Sequence, residues 1–266
     1  MFQWQGSVKT SGVDHEAAAV EGVLSKRERR QSRLKAKKHG EICPELLKNW
    51  EQLRRDDTPV DKKHELVEAM LATAKGKLED LCMAHDTSRI VESLIQFGTE
   101  AQRWHVFGEL KGHLRQLSKS NYARFVIQKM IVYGAKEHRL EFFKAFQGYV
   151  GKLLRHKYAS EVVDLLYNDY ATASQRDALL KEAYGPQIAL QMTTNNAQHL
   201  DEALALNPDK RQTIMAYVNE LLVTAVSKWV VLFSSLRASL HYPGGGFLMQ
   251  LLTNNSVEVV YLVENV

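Results

Sequence analysis

Residues 81–185 of the 266-residue chain repeat themselves every 36 positions, and that period restricts the fold more than any other feature. LCMAHDTSRIVESLIQFGTEAQRWHVFGELKGH from Leu81 lies over LSKSNYARFVIQKMIVYGAKEHRLEFFKAFQGY from Leu117 without a gap. LLRHKYASEVVDLLYNDYATASQRDALLKEAYG from Leu153 keeps the same apolar pairs. Ile95 meets Ile131, Gly98 meets Gly134, Arg103 meets Arg139 and Gly112 meets Gly148. Each row reads as a helix-length apolar pattern, a break at Gly98, Gly134 or the Asn168–Asp169 region, and a second helical pattern. Period-2 alternation is almost absent, so an all-α fold is predicted. A helical period of this length marks a solenoid, in which each unit buries its apolar face only against its neighbours.

KSNYARFVIQKMIVYG, residues 119–134, shows what the repeat presents outward. At 100° per residue, Val126, Ile127, Met130 and Ile131 share one side, Arg124 and Gln128 flank it, and Phe125 points nearly opposite. The equivalent positions are Ser88, Arg89 and Glu92 in the preceding row and Ser160, Glu161 and Asp164 in the following one. Residues at i, i+1 and i+4 are thereby expected on one exposed strip of three stacked helices.

Charge is unevenly placed. KRERRQSRLKAKK, residues 26–38, carries +7, which leaves −3 for the rest of a chain whose net charge is +4. Inside the repeats, Arg103 to Lys157 hold twelve Lys/Arg against three acids. Two basic zones on an otherwise acidic chain favour polyanions. Cys43 and Cys82, 39 residues apart, form neither a disulfide framework nor a zinc motif. No apolar stretch approaches the ~20 residues needed to span a bilayer, and the first residues lack a leader pattern, so a soluble, unsecreted protein without membrane partners is expected.

The sequences HDTSRIVESLI, NYARFVIQKMI and KYASEVVDLL, with LLKNWEQLRR upstream, resemble the Pumilio (PUF) repeat family, specifically its divergent nucleolar Puf-A-like branch. The likeness runs over roughly 42–240 and corresponds to an N-terminal portion, since the family continues through further repeats. It implies a right-handed α-solenoid of three-helix repeats with a helical cap. It also implies that one base is read per repeat by two or three side chains. On this resemblance Arg89 and Phe125 are stacking residues, Ser88 with Glu92 resembles a guanine-reading pair, and Gln128 is half of a pair reading adenine or uracil.

The departures are as informative. Arg124 suits a phosphate better than a base edge, and Glu161 and Asp164 place two acids where a base or backbone should come, so sequence-specific reading looks broken. The branch implies binding of RNA, and of DNA as well, with little sequence preference through basic surface. It further implies large-subunit ribosome biogenesis, ribosome-assembly protein partners and a nuclear, nucleolar location. Lys119 and Arg155 share one repeat position, and with Lys157 and Arg124 they are the expected backbone-binding cations. The competing expectation is a protein-interaction solenoid that holds a basic peptide, because Glu161 and Asp164 repel phosphate.

Catalysis has no visible carrier: there is no HExxH, GxSxG, P-loop or dinucleotide fingerprint, and PGGGFLM at 243–249 lacks the Lys-Ser/Thr of a phosphate cradle. Neither a cofactor nor a small-molecule substrate is expected. Along the chain, residues 1–40 read as a flexible basic tail and 41–80 as a helical cap; 81–185 are the three repeats. Residues 186–240 read as an interrupted further repeat with a helical pair from about 200, and 241–266 as an incomplete or divergent segment.

Overall fold

The structure, a computed structural model, describes residues 25, 29, 38–185, 204–205 and 208–236, with the side chains of the last helix described through Leu221 and at Val223 and Thr224. The expected basic tail, the first part of the expected interrupted repeat at 186–240 and the segment 241–266 lie largely or wholly outside these residues. The described residues contain helices and no strand. Two helices lead, α1 (Cys43–Leu53) and α2 (Val60–Ala74). Three units of three helices follow. They are α3 (Leu78–Cys82), α4 (His85–Phe97) and α5 (Glu100–Leu110); α6 (Leu114–Lys119), α7 (Ala123–Tyr133) and α8 (Lys136–Phe146); and α9 (Val150–Leu154), α10 (Ala159–Leu165) and α11 (Ala173–Ala183). α12 (Arg211–Leu236) packs on α9.

The middle helix of each unit carries the stack: α4 packs on α7 and α7 on α10. Ile90, Val91, Leu94 and Ile95, then Val126, Ile127, Met130 and Ile131, then Val162, Val163 and Leu166 are all buried in one continuous core. Each such side chain contributes about 1.5–3 kcal/mol relative to exposure. α1 closes the first unit, where Trp50 Nε1 donates to Ser93 Oγ on α4 at 2.8 Å. On the other side of the units an aromatic row links α5 to α8, with Phe107, Phe142 and Phe146 spaced 6.1 and 6.0 Å between ring centres.

The turn between the second and third helix explains the repeated glycine and arginine. Gly98 and Gly134 end α4 and α7 with their N–H still donating to Leu94 and Met130 carbonyls at 3.0 and 2.9 Å. A Cβ there would stand 2.5 Å from the Leu94 oxygen and 2.3 Å from the Met130 oxygen, so only glycine fits the bend. Arg103 then reaches back to donate Nε–H to the Ile95 carbonyl at 3.0 Å, and Arg139 does the same to Ile131 at 2.8 Å. Each guanidinium satisfies a carbonyl that the helix end leaves open.

The third unit solves the turn differently. Tyr170 stands where the frame calls for glycine, and the chain there is a π turn, Leu166–Tyr170, rather than the break expected at Asn168–Asp169. A π turn accommodates one additional residue. Arg176 accordingly lies 37 rather than 36 residues after Arg139, yet its Nε donates to the Tyr167 carbonyl at 2.9 Å, the bond its predecessors make.

The third helices also share an N-terminal device. Thr99 and Thr172 each accept from the backbone N–H of Gln102 and Gln175, whose side chains accept in return. In the second unit Ala135 has no hydroxyl, and only the return half survives: His138 Nδ1 accepts the Ala135 N–H at 2.9 Å. His138 is buried with its ring 3.7 Å from Trp104 and 4.6 Å from Phe107, centre to centre. Burial holds its pKa below the ordinary value; Glu137 and Glu100 oppose this, and Arg103 and Arg139 reinforce it.

Two predictions follow from these local rules. Because the folded imidazole stays neutral, the stability it supports is complete above the unfolded value near 6.5 and is lost as pH falls toward the depressed folded value. His138→Gln, which installs the residue found at the equivalent Gln102 and Gln175, should flatten the fall in thermal midpoint between pH 7 and pH 5, as read by circular dichroism. Gly134→Ala should lower unfolding free energy by about 1–3 kcal/mol in urea titrations, since the Met130 carbonyl cannot retreat without losing its bond.

Candidate nucleic-acid interface

Stacking places α4, α7 and α10 side by side, and one groove of about 370 Å³ runs over them. Glu92 from the first unit, Phe125 and Gln128 from the second, and Glu161 and Asp164 from the third line it. The i+4 positions of all three units and the i+1 positions of the second and third therefore converge on one concavity, with Phe125 40% exposed. Arg89, on the same helix face as Glu92, is exposed.

Position i is corrected. Ser88 is 2% exposed and turns its hydroxyl to the His85 carbonyl at 3.3 Å, and Ser160 is 9% exposed and donates to the Lys157 carbonyl at 3.2 Å. A short hydroxyl at this position is drawn into the helix start instead of standing on an open strip, so a Ser88–Glu92 pair facing outward is not what the structure forms. Asp164, expected on the same strip, is only 6% exposed.

Arg124 and Arg155 are corrected as free phosphate ligands. Arg124 Nε lies 3.2 Å from Glu161 Oε2, both side chains 15% exposed, and its guanidinium sits 4.4 Å from the Phe125 and Tyr158 ring centres. The Nε–H finds no aligned acceptor, so the contact with Glu161 is a charge pair rather than a directed hydrogen bond. Arg155 donates to Tyr217 Oη on α12 at 3.2 Å, lies over that ring at 4.6 Å, and approaches Glu220 at 3.8 Å. Guanidinium groups withdrawn from water need such partners, and these tie neighbouring units together. Burial raises the pKa of Glu161, while Arg124 and Lys157 pull it down.

The other cations divide in the same way. Arg103 and Arg139 hold helix ends, Lys111 and Lys144 both bind Glu141 at 2.7 and 2.8 Å, and Lys129 donates to Gln96 at 2.9 Å. Lys157 remains exposed, 5.5 Å from the Tyr158 ring. A separate group gathers on the short first helices: Arg115 and Lys119 of α6 and Lys152 of α9, all exposed, surround Tyr149, itself 41% exposed. Arg115 stacks on the ring at 3.9 Å and Lys152 lies at 5.7 Å. Arg115, by hydrogen bond and then by charge, with Lys152 and Lys119 behind it, draws the Tyr149 pKa down. Sequence reasoning found Lys119 and missed Arg115, Tyr149 and Lys152; the i, i+4 pair in RQLSK was the available signal.

Comparison with known proteins decides the family. Human Pumilio homolog 3 is 35% identical over 212 residues, 79% of this chain and 33% of that protein. Zebrafish Pumilio homolog 3 is 43% identical over 187 residues, 70% of this chain and 30% of that protein. The chain belongs to the Pumilio repeat family. It spans about a third of the length of these curated relatives. Crystal structures of human Puf-A, alone and in complex with DNA, match with TM-scores of 0.64 and 0.62 at 35% identity, covering 70% of this chain and 36% and 37% of those chains. No protein-family model matches the chain.

Within these Pumilio repeats, Arg124 is an inter-unit strut. Arg124→Ala should lower unfolding free energy by about 2 kcal/mol, because it leaves half-buried Glu161 without its closest cation, and adding Glu161→Gln should recover part of that loss. A urea-unfolding double-mutant cycle with no coupling between the two positions would contradict the assignment.

Proposed function

We propose that this chain is a non-catalytic nucleic-acid-binding unit that holds RNA, and DNA as well, by its backbone and with little sequence preference. The observation that carries the reading is the convergence of Arg115, Lys119 and Lys152 on exposed Tyr149, beside which the Glu182 carboxylate is taken up by the Gly148 N–H at 2.7 Å. Three cations can neutralise successive phosphates, and an open aromatic face can stack a base of any identity. Human Puf-A, crystallised with DNA, and the shared Pumilio fold support it. We place its action in large-subunit ribosome assembly in the nucleolus, alongside assembly proteins, on the strength of the Puf-A-like resemblance.

Fluorescence anisotropy with single-stranded and duplex RNA tests this. Log affinity should fall with log salt at a slope near −0.7 per phosphate contact on single strands, and Lys119→Glu with Lys152→Glu should make the slope shallower by one to two contacts. Tyr149→Ala should weaken single-strand binding by ~1–3 kcal/mol, and Tyr149→Phe by much less. Unchanged affinity in the double lysine variant would rule the patch out.

A further inference from the structure

The groove over α4, α7 and α10 has the wrong charge for the polymer proposed above. Glu92, Glu161 and Asp164 line it, and Asp169 adds a fourth carboxylate at the end of α10's π turn. Arg124 is paired with Glu161; Lys129, which also lines the groove, donates to Gln96 and lies 5.2 Å from the Tyr133 ring but keeps its charge, and the four carboxylates outnumber it. Arg89, exposed, acts on Glu92 from one turn away. Burial raises both Glu92 and Glu161, against the pull of Arg89 and Lys129 on the first and of Arg124 and Lys157 on the second. A phosphate entering here would meet like charge at close range, a cost that selects against the wrong partner.

The walls are apolar. Phe125 and Val132 are 40% and 41% exposed, and Leu165 faces them from α10. Aliphatic stems with a charged tip suit such a lining: the stem covers the apolar wall, the tip reaches a carboxylate, and a guanidinium can lie on the free face of Phe125. We propose that this groove is a docking site for an extended arginine- and lysine-rich peptide of a partner protein, separate from the basic patch around Tyr149. The scaffold would then hold an anionic polymer on its short first helices and a cationic peptide on its middle helices.

The test is anisotropy of a fluorescein-labelled peptide of alternating arginine and alanine against the full chain, with single-stranded RNA measured in parallel. Glu92→Lys, at a half-buried position, with Asp169→Lys, at an exposed one, should weaken peptide binding by about tenfold or more and leave RNA affinity equal or improved. Phe125→Ala should weaken the peptide and spare RNA. Circular dichroism melting of each variant guards against unfolding.

The proposal is overturned if the charge-reversed variant binds peptide normally, or if Phe125→Ala weakens RNA as much as peptide, which would make the groove a nucleic-acid site. It is also overturned if replacing the Lys and Arg of residues 26–38 by serine tightens peptide binding about tenfold, which would make the chain's own basic run the occupant. Self-association abolished by the charge-reversed variant would name a second copy instead, and overturn it equally.

Discussion

Everything on the outside of this chain depends on the stacking of three middle helices through a single apolar seam. Val126, Ile127, Met130 and Ile131 are buried between the matching residues of α4 and α10, and no unit could hide its seam alone. Because the seam fixes the rotation of each helix, it also fixes what each helix shows on its far side. Phe125 and Gln128 come to lie beside Glu92 and Glu161 as a consequence of where the valines and isoleucines point.

The seam tolerates local irregularity when carbonyl satisfaction is preserved. In two units a glycine allows the sharp bend; in the third a tyrosine stands there and a π turn takes up the extra residue. Arg103, Arg139 and Arg176 make the same back-bond in all three. Basic residues in the repeats therefore serve two ends. Some close helix ends or bind carboxylates, and a smaller set on α6 and α9 stays exposed around Tyr149.

The period, the buried pairs and the helical units were legible in the sequence because they depend on spacing within one row. So was the Phe125 position, whose exposure follows from helical rotation. Much of what was not legible depended on pairing between rows. Arg124 reads as an open phosphate ligand until Glu161, 37 residues later, is seen beside it, and Arg155 until α12 brings Tyr217. Ser88 and Ser160 look like recognition groups until their hydroxyls turn back to the carbonyls three residues earlier, within the same row. Tyr149 lies in a linker next to a short helix, where periodicity carries little information, and its three cations come from two units.

Charge thus differs between two surfaces: Arg115, Lys119 and Lys152 gather around Tyr149 beside α6 and α9, and Glu92, Glu161, Asp164 and Asp169 line the groove over the middle helices. Two aromatic side chains, Tyr149 and Phe125, are almost equally exposed and mark the two surfaces. Ultraviolet crosslinking of single-stranded RNA to the full chain, followed by mass spectrometry of the modified peptides, separates them most directly. Crosslinks at Tyr149 with none at Phe125 are the predicted result; crosslinks concentrated at Phe125, with Tyr149 unmodified, would contradict the account.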